Sequence, residues 1–163
     1  MTSRTDAAPI EVRPAHDDEL ERVVRLRWLW TVNDRGERPD MTEAEYVSAA
    51  AGWARQHAAS HVAFVAVADA EIVGMAWLAL APRVPTTRSL DRLSGDLQSC
   101  YVVPSFRNRG VGGRLVHVVL DAARERGAEH VTVHTSPDSI AMYERNGFEP
   151  HARLLFADTA NIA

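Results

Sequence analysis

The stretch that most constrains this chain is residues 101–115, YVVPSFRNRGVGGRL. A β-branched run stops at Pro104, and an Arg- and Gly-rich loop then opens directly onto an amphipathic helix. Only a fold that places a strand beside the start of a helix can hold that order. Gly110, Gly112 and Gly113 let backbone N–H groups approach a ligand with no side chain in the way. Those groups are the unpaired donors of a helix N-terminus, where the helix dipole also favours negative charge. Arg107, Arg109 and Arg114 add full charges of a kind that pairs well with phosphate. The physics points to a pyrophosphate site, although the same residues can make a Gly-rich helix start with solvated arginines. A nicotinamide dinucleotide is the rival ligand. Its fingerprint wants a third Gly where Leu115 stands and has no arginines in the loop.

Around this stretch the patterning predicts a mixed α/β sheet in one domain. Residues 1–8 are small and polar and read as a flexible tail, leaving residues 9–163 for the domain. A short strand is expected at 10–13, then a helix over 16–30 with Asp17, Asp18 and Glu19 in its first turn, where the dipole favours them. In that helix Leu20, Val23, Val24, Leu26, Arg27 and Trp28 fit one face only loosely. A polar turn at 33–40 precedes a second helix at 41–57. Strands at 61–67 and 72–80 form a hairpin about the Asp69-Ala70-Glu71 turn. Residues 82–96 read as a long polar loop, 97–103 as a strand, and 111–126 as an amphipathic helix stopped by Gly127. A strand at 131–135, a short helix at 137–146 and a last strand at 153–156 complete the order.

Several classes of function are excluded by what the chain lacks. All 18 basic residues are Arg. There is thus no P-loop lysine, no lysine for a pyridoxal-phosphate Schiff base and no lysine nucleophile. A net charge of −4 argues against nucleic acid as the main partner. The single Cys forbids an intramolecular disulfide and a cysteine zinc cluster. The N-terminus lacks the apolar stretch of a signal peptide, and no uncharged run is long enough to span a membrane, so the cytoplasm is the expected address.

Arg107-Asn108-Arg109-Gly110-Val111-Gly112 resembles the [Q/R]-x-x-G-x-[G/A] signature of the GCN5-related N-acetyltransferases. About thirty residues on, Met142-Tyr143-Glu144-Arg145-Asn146-Gly147-Phe148 is similar to that family's L-Y-E-x-x-G-F segment. The resemblance implies a central sheet that is mixed and mostly antiparallel, flanked by helices, with splayed parallel strands at the acyl-CoA site. It implies an N-acetyltransferase that moves an acetyl group from acetyl-CoA to a primary amine by direct attack in a ternary complex. Backbone groups of Tyr101, Val102 and Val103 would hold pantetheine as an added strand. Arg107, Asn108, Arg109, Gly110, Val111, Gly112, Gly113 and Arg114 would cradle the pyrophosphate. Tyr143 would protonate the departing thiolate, a task that suits a phenol. A non-catalytic acyl-CoA-binding or regulatory module on the same fold is the alternative.

Two positions depart from the family's pattern. Gln98 stands where many relatives have a carboxylate that takes the amine proton. Asp96, two residues earlier on the same strand face, could serve as the base directly or through a water. Ser136 stands where relatives often have an Asn that binds the cofactor. For the acceptor, a small-molecule or peptide amine, Trp30, Asp34, Glu37, Gln98 and His134 are candidate contacts, and Arg83, Arg88 and Arg92 could hold a carboxylate or phosphate. His57 with His61, and His130 with His134, have no third ligand near them in sequence, so no metal is expected. Cys100 reads as packing. A homodimer is common among similar proteins, with the C-terminal strand or an exposed helix face as the contact.

Overall fold

A computed structural model of the protein describes residues 9–161, so the expected N-terminal tail at 1–8 lies outside the described residues. Five strands form one sheet in sequence order: β1 (Glu11–Pro14), β2 (His61–Ala68), β3 (Glu71–Pro82), β4 (Leu93–Val102) and β5 (Ala128–Val133). The first four pair antiparallel, and β4 pairs with β5 in parallel. Joining two parallel neighbours needs a crossover, and α3 (Val111–Glu125) supplies it. Helices α1 (Leu20–Trp28) and α2 (Glu43–Gln56) cover the other face, and α4 (Ile140–Arg145) lies against α3. This is the mixed, mostly antiparallel, helix-flanked sheet expected from the sequence.

The sheet buries both faces, so its central strands read as near-continuous apolar runs. Side-chain alternation divides them into two cores. Phe64, Leu78 and Leu97 pack with Leu115, Val116 and Val119 on the α3 side. Val65, Met75, Trp77 and Tyr101 pack with Val23, Leu26, Val47 and Ala51 on the α1/α2 side.

Four expectations need correction. The strand expected at 131–135 is β5 at Ala128–Val133, so His134 and Thr135 lie beyond it. The long loop expected at 82–96 is shorter, because β4 already begins at Leu93. Polar Ser94, Gly95 and Asp96 are held as strand by ladders on two sides, β3 and β5. A Cβ at Gly95 would lie 3.0 Å from Val131 Cγ2 and 3.2 Å from Leu78 Cδ1, so any larger residue would push its neighbours back. The first helix is a 3-10 turn at Asp17–Glu19, then α1, then a π-helical segment at Leu29–Asp34 that absorbs the start of the expected polar turn. The strand expected at 153–156 does not form. A strand needs a neighbour to bond to, and this segment has none among the described residues. Instead a turn (Leu154 N–H to His151 O, 3.1 Å) carries the chain past the end of β5, leaving Leu155 90% exposed.

Glu19 does more than complement the helix dipole. Only 5% exposed, it accepts a forked pair of bonds from Arg13 of β1 at 2.7 and 2.8 Å and a third from the His16 N–H at 2.8 Å. The Arg13 hydrogen bonds, against the opposing effect of burial, bring its carboxyl from 4.5 down to about 2. A depressed carboxyl contributes stability that is present above its unfolded value and lost as pH falls through the folded one, here between about 4.5 and 2. That contribution amounts to about 3 kcal/mol. Glu19→Gln, which leaves the Arg13 charge only the exposed Glu11 carboxylate at 3.6 Å, is expected to lower stability at pH 7 by about 3 kcal/mol. Urea melts at pH 7 and pH 3 should show the mutant losing less than the wild type on acidification.

Candidate active site

Beyond Leu97 the two parallel strands part. Pairing of β4 with β5 ends at Leu97 opposite Val133, while β4 runs on to Val102 with β3 as its neighbour. Residues 98–102 therefore present backbone groups on the side where β5 has ended. The parting coincides with a bulge: Trp77 pairs with Ser99 and Leu78 with Leu97, so Gln98 is the extra residue. A bulge bends its strand and re-aims side chains, and Gln98 stands exposed at this corner.

The Arg/Gly loop lies just past the end of β4. Asn108 and Gly110 both take left-handed backbone conformations (φ +60° and +76°), which turns successive N–H groups to one side of the loop. Among the described residues, no acceptor bonds the N–H groups of Asn108, Arg109, Gly110, Val111 or Gly112. Val111, 2% exposed, anchors this end of α3 in the core. A Cβ at Gly110 would meet nothing within 4 Å, and one at Gly112 would stand 4.0 Å from Met142 and Val102. The residues thus fit a diphosphate, with room and unpaired donors together. Gly113 serves packing as well, since a Cβ there would lie 2.7 Å from Asn146 Oδ1. Asn146 is fixed by donating to Met142 O at 2.7 Å, so α4 can approach α3 only at a glycine.

Tyr143 of α4 is 7% exposed, with its ring edge-on to Phe148 at 5.5 Å. Its hydroxyl lies beside the Cys100 thiol, on the part of β4 that β5 no longer flanks. Burial first, then Cys100, raises the Tyr143 pKa well above that of a free phenol. Burial likewise pushes the Cys100 thiol up to about 12. Both groups are protonated at neutral pH, so Tyr143 holds a proton to give and Cys100 is no nucleophile.

A third cluster ties the loop to the end of the first helix. Tyr101 donates its hydroxyl to Asp34 Oδ2 at 2.8 Å, and Arg107 reaches the same oxygen at 3.2 Å. Arg107 also donates from Nε to the Val102 carbonyl at 2.8 Å and lies over the Tyr101 ring. Trp30 stacks on the other partner in this cluster, Tyr101, at 6.0 Å. Burial and then the Asp34 carboxylate raise the Tyr101 pKa to about 12. Asp34 is therefore engaged with Tyr101 and Arg107.

The remaining candidates are dispersed. Asp96 accepts from Thr132 of β5 at 3.2 Å, at the last paired turn of the two strands. Ser136 is exposed beside Ser139, and the His134 ring stacks on Phe156 at 5.4 Å. Glu37 is exposed. Arg83 and Arg92 both grip Glu129 of β5, at 2.7 and 2.6 Å. Among the described residues no three His, Cys, Asp or Glu side chains are grouped to hold a metal ion, and no helix is long and apolar enough to cross a membrane.

The sequence reading missed the cavity. A space of about 240 Å³ lies between the sheet and helices α1 and α2, next to Gln98. Arg27, Tyr46, Trp53, His61, Trp77 and Ser99 line it. Arg27 donates to the Ser99 hydroxyl. Burial, then His57, lowers the His61 pKa, so that imidazole is neutral at pH 7. One signal was available: Arg27 lies four residues after Val23 and three after Val24, on the inward stripe of α1.

The profile of the Acetyltransferase (GNAT) family matches residues 20–148. Over 154 residues the chain is 28% identical to a glucosamine 6-phosphate N-acetyltransferase of Trypanosoma brucei brucei, covering 94% of this chain and 99% of the relative. Among solved structures, an acetyltransferase from Clostridium acetobutylicum crystallised with acetyl-CoA superposes with a TM-score of 0.75 at 17% identity, covering 94% of this chain and 99% of that one. A Trypanosoma brucei acetyltransferase superposes at 0.68 with 27% identity, covering 92% and 99%. The chain belongs to the GNAT acetyltransferase family and is an acetyl-CoA-dependent acyltransferase.

Tyr101→Phe removes the hydroxyl that ties Asp34 to β4 and leaves the ring in place. It is expected to cost about 1 kcal/mol, the lower part of the range for a bond to a charged group, because water can reach Asp34. Thermal melts of Tyr101→Phe, Asp34→Asn and the double mutant should give less than additive losses.

Proposed function

We propose that the enzyme moves the acetyl group of acetyl-CoA onto the primary amine of a small molecule by direct attack in a ternary complex. The observation that carries the reading is the row of unbonded N–H groups at the start of α3, placed just past the stretch of β4 that β5 leaves unpaired. The donors from Asn108 to Gly112 bind the pyrophosphate, with Arg109 and Arg114 adding charge, and Arg107 is held beside them by Asp34. The backbone of Tyr101 and Val102 holds pantetheine as a short added strand; Val103, expected to share in this, is engaged elsewhere, its N–H donating to Val73 O and its carbonyl accepting from the Phe106 N–H, both at 2.9 Å. A backbone N–H on this stretch polarises the thioester carbonyl, and fixing both reactants lowers the entropic part of the barrier.

In the reaction the amine nitrogen bonds to the acetyl carbon and the carbon–sulfur bond breaks. Tyr143, protonated at neutral pH, gives its proton to the leaving sulfur. Gln98 cannot take the proton that the amine loses. Asp96 lies two residues earlier and accepts it directly or through a water. The name of the trypanosome relative makes glucosamine 6-phosphate the first acceptor to test.

Calorimetric titration with acetyl-CoA, with NADH as control, tests the donor; absent binding in folded protein would sink the reading. Tyr143→Phe is expected to lower kcat about a hundredfold, with acetyl-CoA affinity little changed. An unaltered kcat would remove Tyr143 from the mechanism. Gly112→Leu fills the space between α3, Met142 and Val102. Acetyl-CoA affinity should fall by about tenfold or more while the melting temperature holds.

A further inference from the structure

We infer that the cavity between α1, α2 and the sheet receives the acceptor, and that Arg27 makes it select an amine that also carries an anionic group, a carboxylate or a phosphate. The inference rests on the acetyl-transfer reading, because it takes the bulge at Gln98 to lie beside the acetyl group.

The arginines of α1 show what sets Arg27 apart. Arg22 pairs with Glu19 at 3.4 Å and Arg25 with Glu43 at 2.9 Å. Arg27, half-buried on the cavity wall, has no carboxylate partner among the described residues. It donates to the Ser99 hydroxyl, shares the cavity wall with the Tyr46 hydroxyl and lies 5.8 Å over the Trp30 ring. All of these partners are neutral. A guanidinium is always charged, and holding it away from water with no counter-charge is costly. An anion entering the cavity removes that cost and gains a planar, forked donor suited to oxygen pairs.

Nothing else in the cavity competes for the role. His61 is neutral through burial and the neighbouring His57 imidazole, and Tyr46 keeps its proton because burial raises its pKa. Gln98 and Ser99 are uncharged. The cavity thus holds one charge, positive, among the rings of Trp53 and Trp77. Its volume of about 240 Å³ is below the 300–1,000 Å³ typical of drug-sized ligands, which suits a small metabolite better than a peptide chain. Because Arg27 is bonded to Ser99, the anion would sit one residue from the bulge, and so close to the reacting amine. The rest of the acceptor would lie against the two indoles.

The test uses anions that cannot react. Quenching of tryptophan fluorescence would be followed during titration with 3-phenylpropionate or glucose 6-phosphate, against the uncharged 3-phenylpropanol and glucose. Saturable binding of one anion, about tenfold tighter than its uncharged counterpart, is expected. Arg27→Met should weaken that binding about tenfold and Arg27→Lys should restore part of it. The Lys variant keeps the test open should the Met variant not fold. Which anion binds decides between a carboxylate and a phosphate. If neither saturates up to about 10 mM, or if Arg27→Met binds as well as wild type, the inference is overturned. Failure of the acetyl-transfer reading would show separately, as absent calorimetric binding of acetyl-CoA to the same protein.

Discussion

The site depends on the parting of β4 from β5. Two parallel strands that stayed paired would satisfy each other's backbone groups and leave nothing for a ligand to bond. Here the ladder is tight at one end, where Gly95 lets Val131 approach, and absent at the other, where β5 stops at Val133 and β4 continues. The bulge at Gln98 bends β4 at the same point. The crossover adds its own consequence. A helix joining two parallel neighbours must begin at the end of the first strand, so the N-terminus of α3 lies beside the opening. Unpaired strand backbone and unpaired helix donors are thereby brought together by one connection, at the carboxyl end of a strand where open α/β sheets bind their ligands.

An exclusively arginine basic complement gives this chain many forked donors, and their partners separate structure from function. Arg13 holds Glu19 and ties β1 to the first helical turn. Arg83 and Arg92 hold Glu129 and pin the β3–β4 connection to β5. Arg107 is shared between Asp34, a carbonyl of β4 and the Tyr101 ring, linking the end of the first helix to the Arg/Gly loop. Arg27 has hydroxyls and an indole for company, and Arg114 is exposed. An arginine matched by a carboxylate maintains the fold; one that faces a cavity without such a match is available to a ligand.

The chemistry of the two faces differs for a related reason. On the α3 face, Tyr143 and Cys100 are protonated groups in an apolar setting. On the α1/α2 face, Gln98 and Ser99 border the cavity with its single cation. The split between strands connects the two faces, with Tyr143 on one side and the cavity on the other. Asp96 lies at the last paired turn of the strands, bonded to Thr132.

What the sequence determined by itself was local. Gly110, Gly112 and the arginines around them are contiguous, and a helix start needs no distant partner to expose its N–H groups, so a loop of unpaired donors at the start of α3 was legible from spacing. The amphipathic period of α3 and the apolar runs of β2 and β3 were legible for the same reason. The family resemblance then supplied the place of Tyr143, which spacing alone does not. Tertiary structure decided everything that needs a neighbour. Residues 93–96 became strand because two ladders hold them, and residues 153–156 did not because no ladder is offered. Asp34 was bound by Tyr101 and Arg107 across 67 and 73 residues of chain. The cavity took one side chain or more from each of α1, α2, β2, β3 and β4. No window of sequence contains that set, since a charge is buried or solvated only by what the fold packs against it.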